Sequence, residues 1–353
     1  MIYLDSRDEV KSGQHTYPNY LCRLSHKSDE KEIKVLSEWH SLTTMLSPTT
    51  PARKRDWKKY NAALSTRAEL FLDTSVLKKW HRELRKQNKK KTGRGFLYPP
   101  CFIKYLALLK TYFNFSFRAI ESLLSFLEKH LPSLKKPDHS TIHRRISALN
   151  LNLDESVKHR KRLVVSIDSS GLKVHNRGEW IRHKHRIRRG YLKIHFAVNT
   201  KTREIVDLET TKEEVGDNRK FRPMVKRVLK KYTLRKVLGD AAYDDHRNFN
   251  LLQRHHLIPA IKLKKNSFPH KWHPKWDRKH RVRRRYAQLM LKSYGNWKRL
   301  LGYGKRWISE IVFSCFKANF GEYFAARKMK NIHQEVVRKA YVHNMLMNHL
   351  ARQ

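Results

Sequence analysis

Two aspartates follow apolar, β-branched runs, at points where the pattern predicts that strands end. Asp168 closes the run over residues 163–168, and Asp240 closes the run over residues 236–240. A carboxylate is costly to bury in an apolar core, so each side chain belongs at a strand end or facing a cleft. Taken singly, each aspartate is explained more simply as a turn residue at the end of a strand.

The predicted elements around the two aspartates bring them together. The pattern predicts strands over residues 163–168, 191–198 and 204–208, then a helix over 219–232, a strand over 236–240, a helix over 248–255 and a strand over 258–263. An extension of the first strand over 172–174 is left open. This order is that of an α/β, ribonuclease-H-like fold, in which helices flank a mixed sheet. Its first and fourth strands are neighbours, so Asp168 and Asp240 converge. Adjacent carboxylates repel one another unless a cation lies between them, and hard oxygen ligands favour Mg²⁺ or Mn²⁺.

A third acid, Glu310, lies on a helix predicted to begin near Arg306. Residues seven apart on an α-helix return to nearly the same face, so Tyr303, Glu310 and Lys317 share a stripe. Arg306 precedes the glutamate by one turn. An acid flanked by a phenol and two cations suits phosphodiester cleavage, because the acid can hold metal while its neighbours bind phosphates. The same stripe fits a solvated helix face with an i,i+4 Arg–Glu pair equally well.

The four residues of this stripe, in the spacing Tyr-x-x-Arg-x-x-x-Glu-x-x-x-x-x-x-Lys, resemble the signature of prokaryotic insertion-sequence transposases of the four/five superfamily. Asp168 in Ile-Asp-Ser-Ser-Gly and Asp240 in Gly-Asp-Ala-Ala-Tyr-Asp are similar to the two aspartate motifs of that family. The resemblance extends from about Trp57 onward. Where some relatives carry a β-rich insertion before the glutamate helix, this chain has a short basic segment over residues 271–285.

The resemblance implies a DDE transposase in which Asp168, Asp240 and Glu310 are the catalytic residues. They would hold two Mg²⁺ or Mn²⁺ ions, which assist hydrolysis of the DNA backbone at each element end. The freed 3′-hydroxyl then attacks target DNA. The tyrosine, arginine and lysine of the stripe would bind the terminal phosphates.

The sequence before residue 156 predicts helices. A turn over residues 137–140 offers good N-cap residues, and apolar residues then recur at i, i+4 and i+7 from Ile142. His143, Arg144 and Arg145 point outward on this prediction, which fits the last helix of a helix-turn-helix that binds DNA. An ordinary basic surface helix fits the pattern equally well. The chain thus divides into a polar arm (1–52), an all-α, helix-turn-helix-like DNA-binding domain (53–155) and a catalytic domain (156–353).

The charge balance predicts a polyanionic partner. Lys and Arg number 78 against 31 Asp and Glu, a formal net charge of +47. Self-repulsion on this scale is relieved by nucleic acid, since each phosphate contact releases counterions. We therefore expect a nucleic acid as the partner, and no membrane or small-molecule partner. The resemblance implies that this nucleic acid is DNA, both as terminal inverted repeats and as target. Two ends must be cut together, so a homodimer on DNA is expected.

The cysteines and the N-terminal residues indicate the compartment. Cys22, Cys101 and Cys315 are far apart in sequence and show no metal-ligand spacing, which argues against a zinc site. The first eight residues contain no apolar signal region. We expect a reduced, cytoplasmic and nucleoid-associated protein.

Three alternatives are left open. Asp217 is a rival carboxylate, which we interpret as the N-cap of the helix that follows it. A ribonuclease-H-like nuclease or resolvase that cuts DNA without joining it would share the fold. So would a catalytically inactive, basic DNA-binding protein.

Overall fold

A mixed β-sheet forms the centre of the protein. The structure, a computed structural model, describes residues 56–65, 67–71, 75–130, 134–174, 191–264, 274–326 and 328–351. The strands in these ranges are β1 (Leu163–Val174), β2 (Tyr191–Asn199), β3 (Ile205–Lys212), β4 (Leu234–Gly239), β5 (Ile258–Ile261) and β6 (Tyr323–Phe324). The main path through the sheet runs β3-β2-β1-β4-β5, and the short β6 pairs with the end of β1.

Strand direction completes the identification of the fold. β1 pairs antiparallel with β2, and β2 pairs antiparallel with β3. On the other side of β1, β4 is parallel to β1 and β5 is parallel to β4. Three antiparallel strands extended by two parallel ones, with helices between the parallel strands, are the arrangement of the ribonuclease-H-like fold. The predicted fold class is confirmed, including the adjacency of the first and fourth strands.

Helices precede the sheet, connect its strands and follow it. The first group is α1 (Trp57–Ser65), α2 (Arg67–Phe71), α3 (Ser75–Asn88), α4 (Pro100–Phe113), α5 (Phe117–His130) and α6 (His139–Ala148). The others are α7 (Asn218–Lys231), α8 (His246–Arg254), α9 (Pro274–Lys292), α10 (Tyr294–Leu301), α11 (Trp307–Phe320) and α12 (Met329–Leu350). Asp138 begins α6 as expected, accepting hydrogen bonds from the amides of Ser140 and Thr141. Among these helices, none has the length and apolar character needed to cross a bilayer.

The described residues belong to one compact unit with a shared apolar core. Leu106 of α4 and Ile142 of α6 are part of the same core as Phe196 of β2 and Val336 of α12. The helical and catalytic parts therefore pack together, and their division near residue 155 stays a prediction. The predicted arm over residues 1–52 lies outside the described residues.

The long helix α12 is bound to the start of β3 by buried polar side chains. Asn344 accepts a hydrogen bond from the Ile205 amide at 2.7 Å and donates to the Ile205 carbonyl at 2.9 Å. An amide side chain thus provides the hydrogen bonds that a neighbouring strand would give there. The adjacent His343 is fully buried, with Nε2 lying 3.1 Å from the Arg203 carbonyl. Burial lowers the pKa of this imidazole to about 4.

Candidate active site

Asp168 lies within β1, at the level where β4 ends. β1 continues to Val174, so the extension left open is present, and the expectation that Asp168 closes the strand was wrong. The parallel pairing with β4 stops at Ser166 opposite Leu238, whereas the pairing with β2 continues on the other side. Asp168 is thus close to the point where β1 loses one neighbour. Its side chain is 17% exposed.

Asp240 directly follows β4 and begins a 3-10 turn over Ala241–Tyr243. Its carboxylate accepts a hydrogen bond from the Ala242 amide at 2.9 Å. Gly239 permits this turn, because a Cβ at that position would lie 3.0 Å from the ring of buried Tyr243. Burial raises the pKa of the Asp168 carboxyl, and the charge of Asp240 adds to the rise. The structure therefore brings the two aspartates together.

Glu310 is connected to Asp168 through Arg306. The guanidinium donates from Nη2 to Glu310 Oε1, and its Nη1 lies 3.5 Å from Asp168 Oδ2. Burial opposes the charge of Arg306, but the hydrogen bond to Glu310 and the nearby negative charges raise its pKa overall. The i,i+4 Arg–Glu pair that the sequence allowed is present. It faces Asp168 as well as solvent, so the stripe is more than a solvated helix face.

The arrangement of carboxylates bears directly on metal binding. Asp168 and Asp240 are hard oxygen donors whose raised pKa values come first from burial, and a divalent cation would offset that penalty. Within the described residues, no group of three or more His, Cys, Asp or Glu side chains is arranged to hold a metal ion. The Arg306 guanidinium contacts both Asp168 and Glu310. The donor chemistry of the two aspartates fits a hard divalent cation, and the place of Glu310 in such a site stays a prediction.

Two buried serines hold Asp168 in place, and the sequence analysis did not identify them. Ser309 Oγ lies 3.1 Å from Asp168 Oδ2 and 2.8 Å from the Arg306 carbonyl oxygen. The Ser166 hydroxyl donates to Ser309 Oγ at 3.2 Å. Both serines are fully buried. The available signal was a serine at a buried helix position directly before Glu310.

Tyr303 departs from the predicted stripe, whereas Lys317 does not. Tyr303–Arg306 forms a 3-10 turn before α11. Such a turn advances about 120° per residue instead of about 100°, so Tyr303 rotates away from the face that carries Glu310. Tyr303 is 6% exposed and packs against Trp297, and burial raises the pKa of its phenol to about 12. The Lys317 ammonium makes no hydrogen bond or ion pair with the described residues.

Asp217 occupies the position before α7, but its side chain makes no capping hydrogen bond. Lys193 Nζ of β2 lies 3.3 Å from Asp217 Oδ1 instead. Asp217 is thus the N-cap residue by position, as interpreted, but its carboxylate pairs with an ammonium and does not cap the helix amides. Burial is the main cause of the raised pKa of Asp240, and the charge of Asp217 adds to it. Asp217 thus lies near the aspartate pair without contacting it.

On α6, two of the three basic side chains face solvent. His143 and Arg144 are exposed. Arg145 is half-buried, with Nη2 donating to the Tyr98 carbonyl at 3.0 Å and its guanidinium 5.3 Å from the Phe96 ring centre. The expectation that Arg145 points outward was wrong. It connects α6 to the segment before α4.

Known proteins similar to this chain include one family and several distant structures. Residues 159–345, more than half of the chain, match a family model described as a transposase DDE domain, and residues 66–177 match a second model of the same description. The catalytic core domain of BIV integrase is similar at 12% identity over 44% of this chain and 96% of that one, with a TM-score of 0.20. The Drosophila P element transposase strand transfer complex is similar at 13% identity over 77% and 70%, with a TM-score of 0.29.

The family match and the carboxylate site agree in position. The first model spans Asp168, Asp240 and Glu310, and the structure places Asp168 and Glu310 in contact with Arg306. The chain therefore belongs to the transposase DDE domain family and is a DDE transposase.

Proposed function

We propose that this transposase cuts the DNA backbone at the ends of an insertion sequence and joins the freed 3′-hydroxyl to target DNA. The observation that carries the proposal is the convergence of Asp168 and Asp240 beside β4, with Glu310 connected to Asp168 through Arg306. The signature spacing supports membership of the four/five superfamily. DNA binding by a cytoplasmic, nucleoid-associated homodimer is part of this proposal.

Asp168, Asp240 and Glu310 would hold the divalent ions, Mg²⁺ or Mn²⁺ and two per site. Bound metal lowers the pKa of an attacking water or hydroxyl and stabilises charge on the leaving oxygen. The protein contributes fixed carboxylates. The Ser309 hydroxyl and the Ser169 amide position Asp168, and the Ala242 amide positions Asp240.

Arg306 and Lys317 would bind the phosphates next to the cleaved bond. Arg306 is already within the site, and a guanidinium binds phosphate with two parallel hydrogen bonds. Lys317 is about 10 Å further along α11 from Glu310, so it reaches a different phosphate. The phenol of Tyr303 is near both aspartates, since their charges contribute to its raised pKa after burial.

Isosteric substitutions test the assignment of the three acids. We expect Asp168→Asn, Asp240→Asn and Glu310→Gln each to abolish cleavage of a labelled duplex containing an element end, in Mg²⁺ or Mn²⁺. Binding to the same duplex should stay nearly unchanged, because the basic surface holds the DNA. Asp217→Asn is the matched control, since it removes a nearby carboxylate outside the proposed set and should leave cleavage.

The outcomes separate the alternatives. Substantial cleavage by any of the three variants would remove that residue from the metal site. Cleavage by the wild type without joining to a target plasmid would favour a nuclease or resolvase. DNA binding by the wild type without any cleavage would favour the inactive DNA-binding protein.

A further inference from the structure

A cavity of about 510 Å³ lies between the helices before the sheet and the elements that follow α11. Its wall includes Lys110 of α4, His143 of α6 and Asn319 near the end of α11. The first half of α12 contributes two basic residues, Arg338 and Lys339, to the same wall. A volume of this size is within the range of pockets that hold nucleotide-sized ligands.

The positive charge in this wall exceeds the negative charge. Glu335 is the acid in the described lining, and it pairs with Lys339 at 2.9 Å. The same carboxylate also accepts hydrogen bonds from the amides of Ala325 and Ala326. Glu335 is therefore satisfied by groups other than Arg338.

Arg338 is a nearly buried guanidinium that the charge of Glu335 influences but that no acid among the described residues pairs with. It is 9% exposed and makes no hydrogen bond or ion pair within the described part of the chain. Burial lowers its pKa, and the charge of Glu335 offsets this only in part. Burial and the charges of Arg338 and Lys339 also lower the pKa of Lys110, again against Glu335. The Lys110 ammonium donates to the Phe115 carbonyl at 2.8 Å and lies 4.5 Å from the Phe117 ring centre. Keeping two cations close in a poorly solvated wall destabilises the free protein. Such an arrangement is relieved when an anion enters the cavity.

The location of the cavity indicates which anion it takes. It is bounded by His143 on the helix predicted to bind DNA, and by Asn319 on the helix that carries Glu310. Glu310 and Asn319 are separated by about 14 Å along the axis of α11, so the cavity is a few nucleotides from the carboxylates. Phe117 and Tyr323 add aromatic surface to the wall, and aromatic side chains support nucleotides by stacking.

We propose that this cavity binds a backbone phosphate of the DNA, with Arg338 and Lys110 as its ligands. The inference rests on the proposed function, because both surfaces beside the cavity are proposed to contact DNA. The DNA phosphate in this cavity would contact both the helical part and the catalytic part, and this contact would not need metal.

Arg338→Gln in the full-length protein tests this site, with Lys330→Gln as the matched control. Lys330 is exposed on the same helix and lies outside the cavity lining. We expect Arg338→Gln to raise the melting temperature of the DNA-free protein or leave it unchanged, because an unpaired buried charge is removed. Affinity for the end-containing duplex should fall about tenfold or more, and the salt dependence should drop by about one phosphate. Lys330→Gln should change affinity far less.

Ethylation interference then locates the contact. Ethylation of one particular phosphate should block DNA binding by the wild type but should have no effect on binding by Arg338→Gln. The same result is expected for Lys110→Gln, which provides the test if Arg338→Gln folds poorly. A large loss of melting temperature in both variants without DNA would make the residues structural. Equal affinities of Arg338→Gln and Lys330→Gln would overturn the proposal.

Two further results have separate meanings. If orthophosphate stabilises the wild type but not Arg338→Gln, while their DNA affinities agree, the cavity takes free phosphate and the DNA assignment is wrong. If Arg338→Gln weakens DNA binding but the wild type never cleaves, the proposed function fails and the cavity site stands.

Discussion

Asp168 receives hydrogen bonds from two elements, from its own Ser169 amide at 2.9 Å and from Ser309 Oγ of α11 at 3.1 Å. Ser166, on the same strand as Asp168, donates to Ser309 in turn. The carboxylate is therefore oriented by a network that spans β1 and α11. Groups of this kind, which orient a ligand without touching the substrate, commonly affect metal affinity or activity 10- to 100-fold.

Ser309→Ala should reduce cleavage, because Asp168 loses the hydroxyl that fixes Oδ2. We expect the rate, or the metal concentration needed for half-maximal rate, to change by roughly 10- to 100-fold. A cleavage assay titrated with Mg²⁺ measures both. Ser314→Ala, at an exposed position of the same helix, is the control and should behave as the wild type. Equal behaviour of the two variants would show that Ser309 only fills space.

His343 gives a pH dependence of stability whose sign follows from its depressed pKa. The folded imidazole has a pKa of about 4, below its usual value of 6.5, so between these values the unfolded chain binds a proton that the folded protein does not. Stability from this group is present above pH 6.5 and is lost as the pH falls toward 4, by about 3 kcal/mol in all. Urea unfolding of wild type and His343→Gln at pH 7 and 4.5 should show a smaller loss in the variant. His255→Gln, at an exposed site, should follow the wild type.

Sequence spacing was enough to identify the three acids, but it did not identify the residues that hydrogen-bond to them. Asp168, Asp240 and Glu310 were identified because charged residues beside apolar runs are conspicuous. Ser309 was missed because a buried serine in a helix has no distinctive pattern until its partner on another element is known. Arg145 was assigned outward because periodicity gives a direction for the Cα–Cβ bond, and a long side chain can fold back.

At the scale of elements, a side chain of α12 provides hydrogen bonds to the backbone of the edge strand β3. The Asn344 side chain satisfies the Ile205 amide and carbonyl, while its Nδ2 also donates to Ser156 Oγ. All of these groups are buried. Through Asn344, α12 is therefore hydrogen-bonded both to the start of β3 and to Ser156, which lies just before β1.

Asn344→Leu should destabilise the protein strongly, since it leaves two buried backbone groups of Ile205 without partners. We expect a loss of about 2–4 kcal/mol in the free energy of unfolding, measured by urea denaturation. Asn348→Leu is the comparison, because that side chain makes a single bond to the Ser156 carbonyl at 2.8 Å and is only partly buried. Its cost should be about 1 kcal/mol. Similar costs for both would mean that Asn344 is not supporting β3.

Element order was predictable because β-branched runs separated by turns and amphipathic runs are distinct patterns. The 3-10 turn before α11 could not be predicted from these patterns. Four residues in a 3-10 turn accumulate roughly 80° relative to an α-helix, which moves Tyr303 into the core. The buried face of α11 centres on Phe313 and Phe316, which pack against Phe196, and its spacing is that of an ordinary α-helix, so the departure is confined to the turn before it.

For the whole molecule, charge dominates the expected behaviour with DNA. With a net charge of +47, the protein should bind any duplex, and affinity should fall roughly 10³-fold or more between 50 and 200 mM salt if six or more phosphates are contacted. Filter binding or fluorescence anisotropy across this range measures the slope. A preference for element ends should persist as salt rises, because base contacts depend less on counterion release. If α6 makes the base contacts, the double variant His143→Ala/Arg144→Ala should lose that preference, whereas Lys330→Ala should keep it.

Arg306 is an internal counter-ion for Asp168 and Glu310, and it is also the side chain proposed to bind terminal phosphate. A phosphate that draws this guanidinium away leaves the two acids with unneutralised charge, and their affinity for a divalent ion rises. Thermodynamic linkage requires the converse by the same factor, so an ion that occupies the acids frees the guanidinium for DNA. Element ends and metal would thus act as each other's effectors. In the absence of both DNA and metal, Arg306 neutralises Asp168 and Glu310.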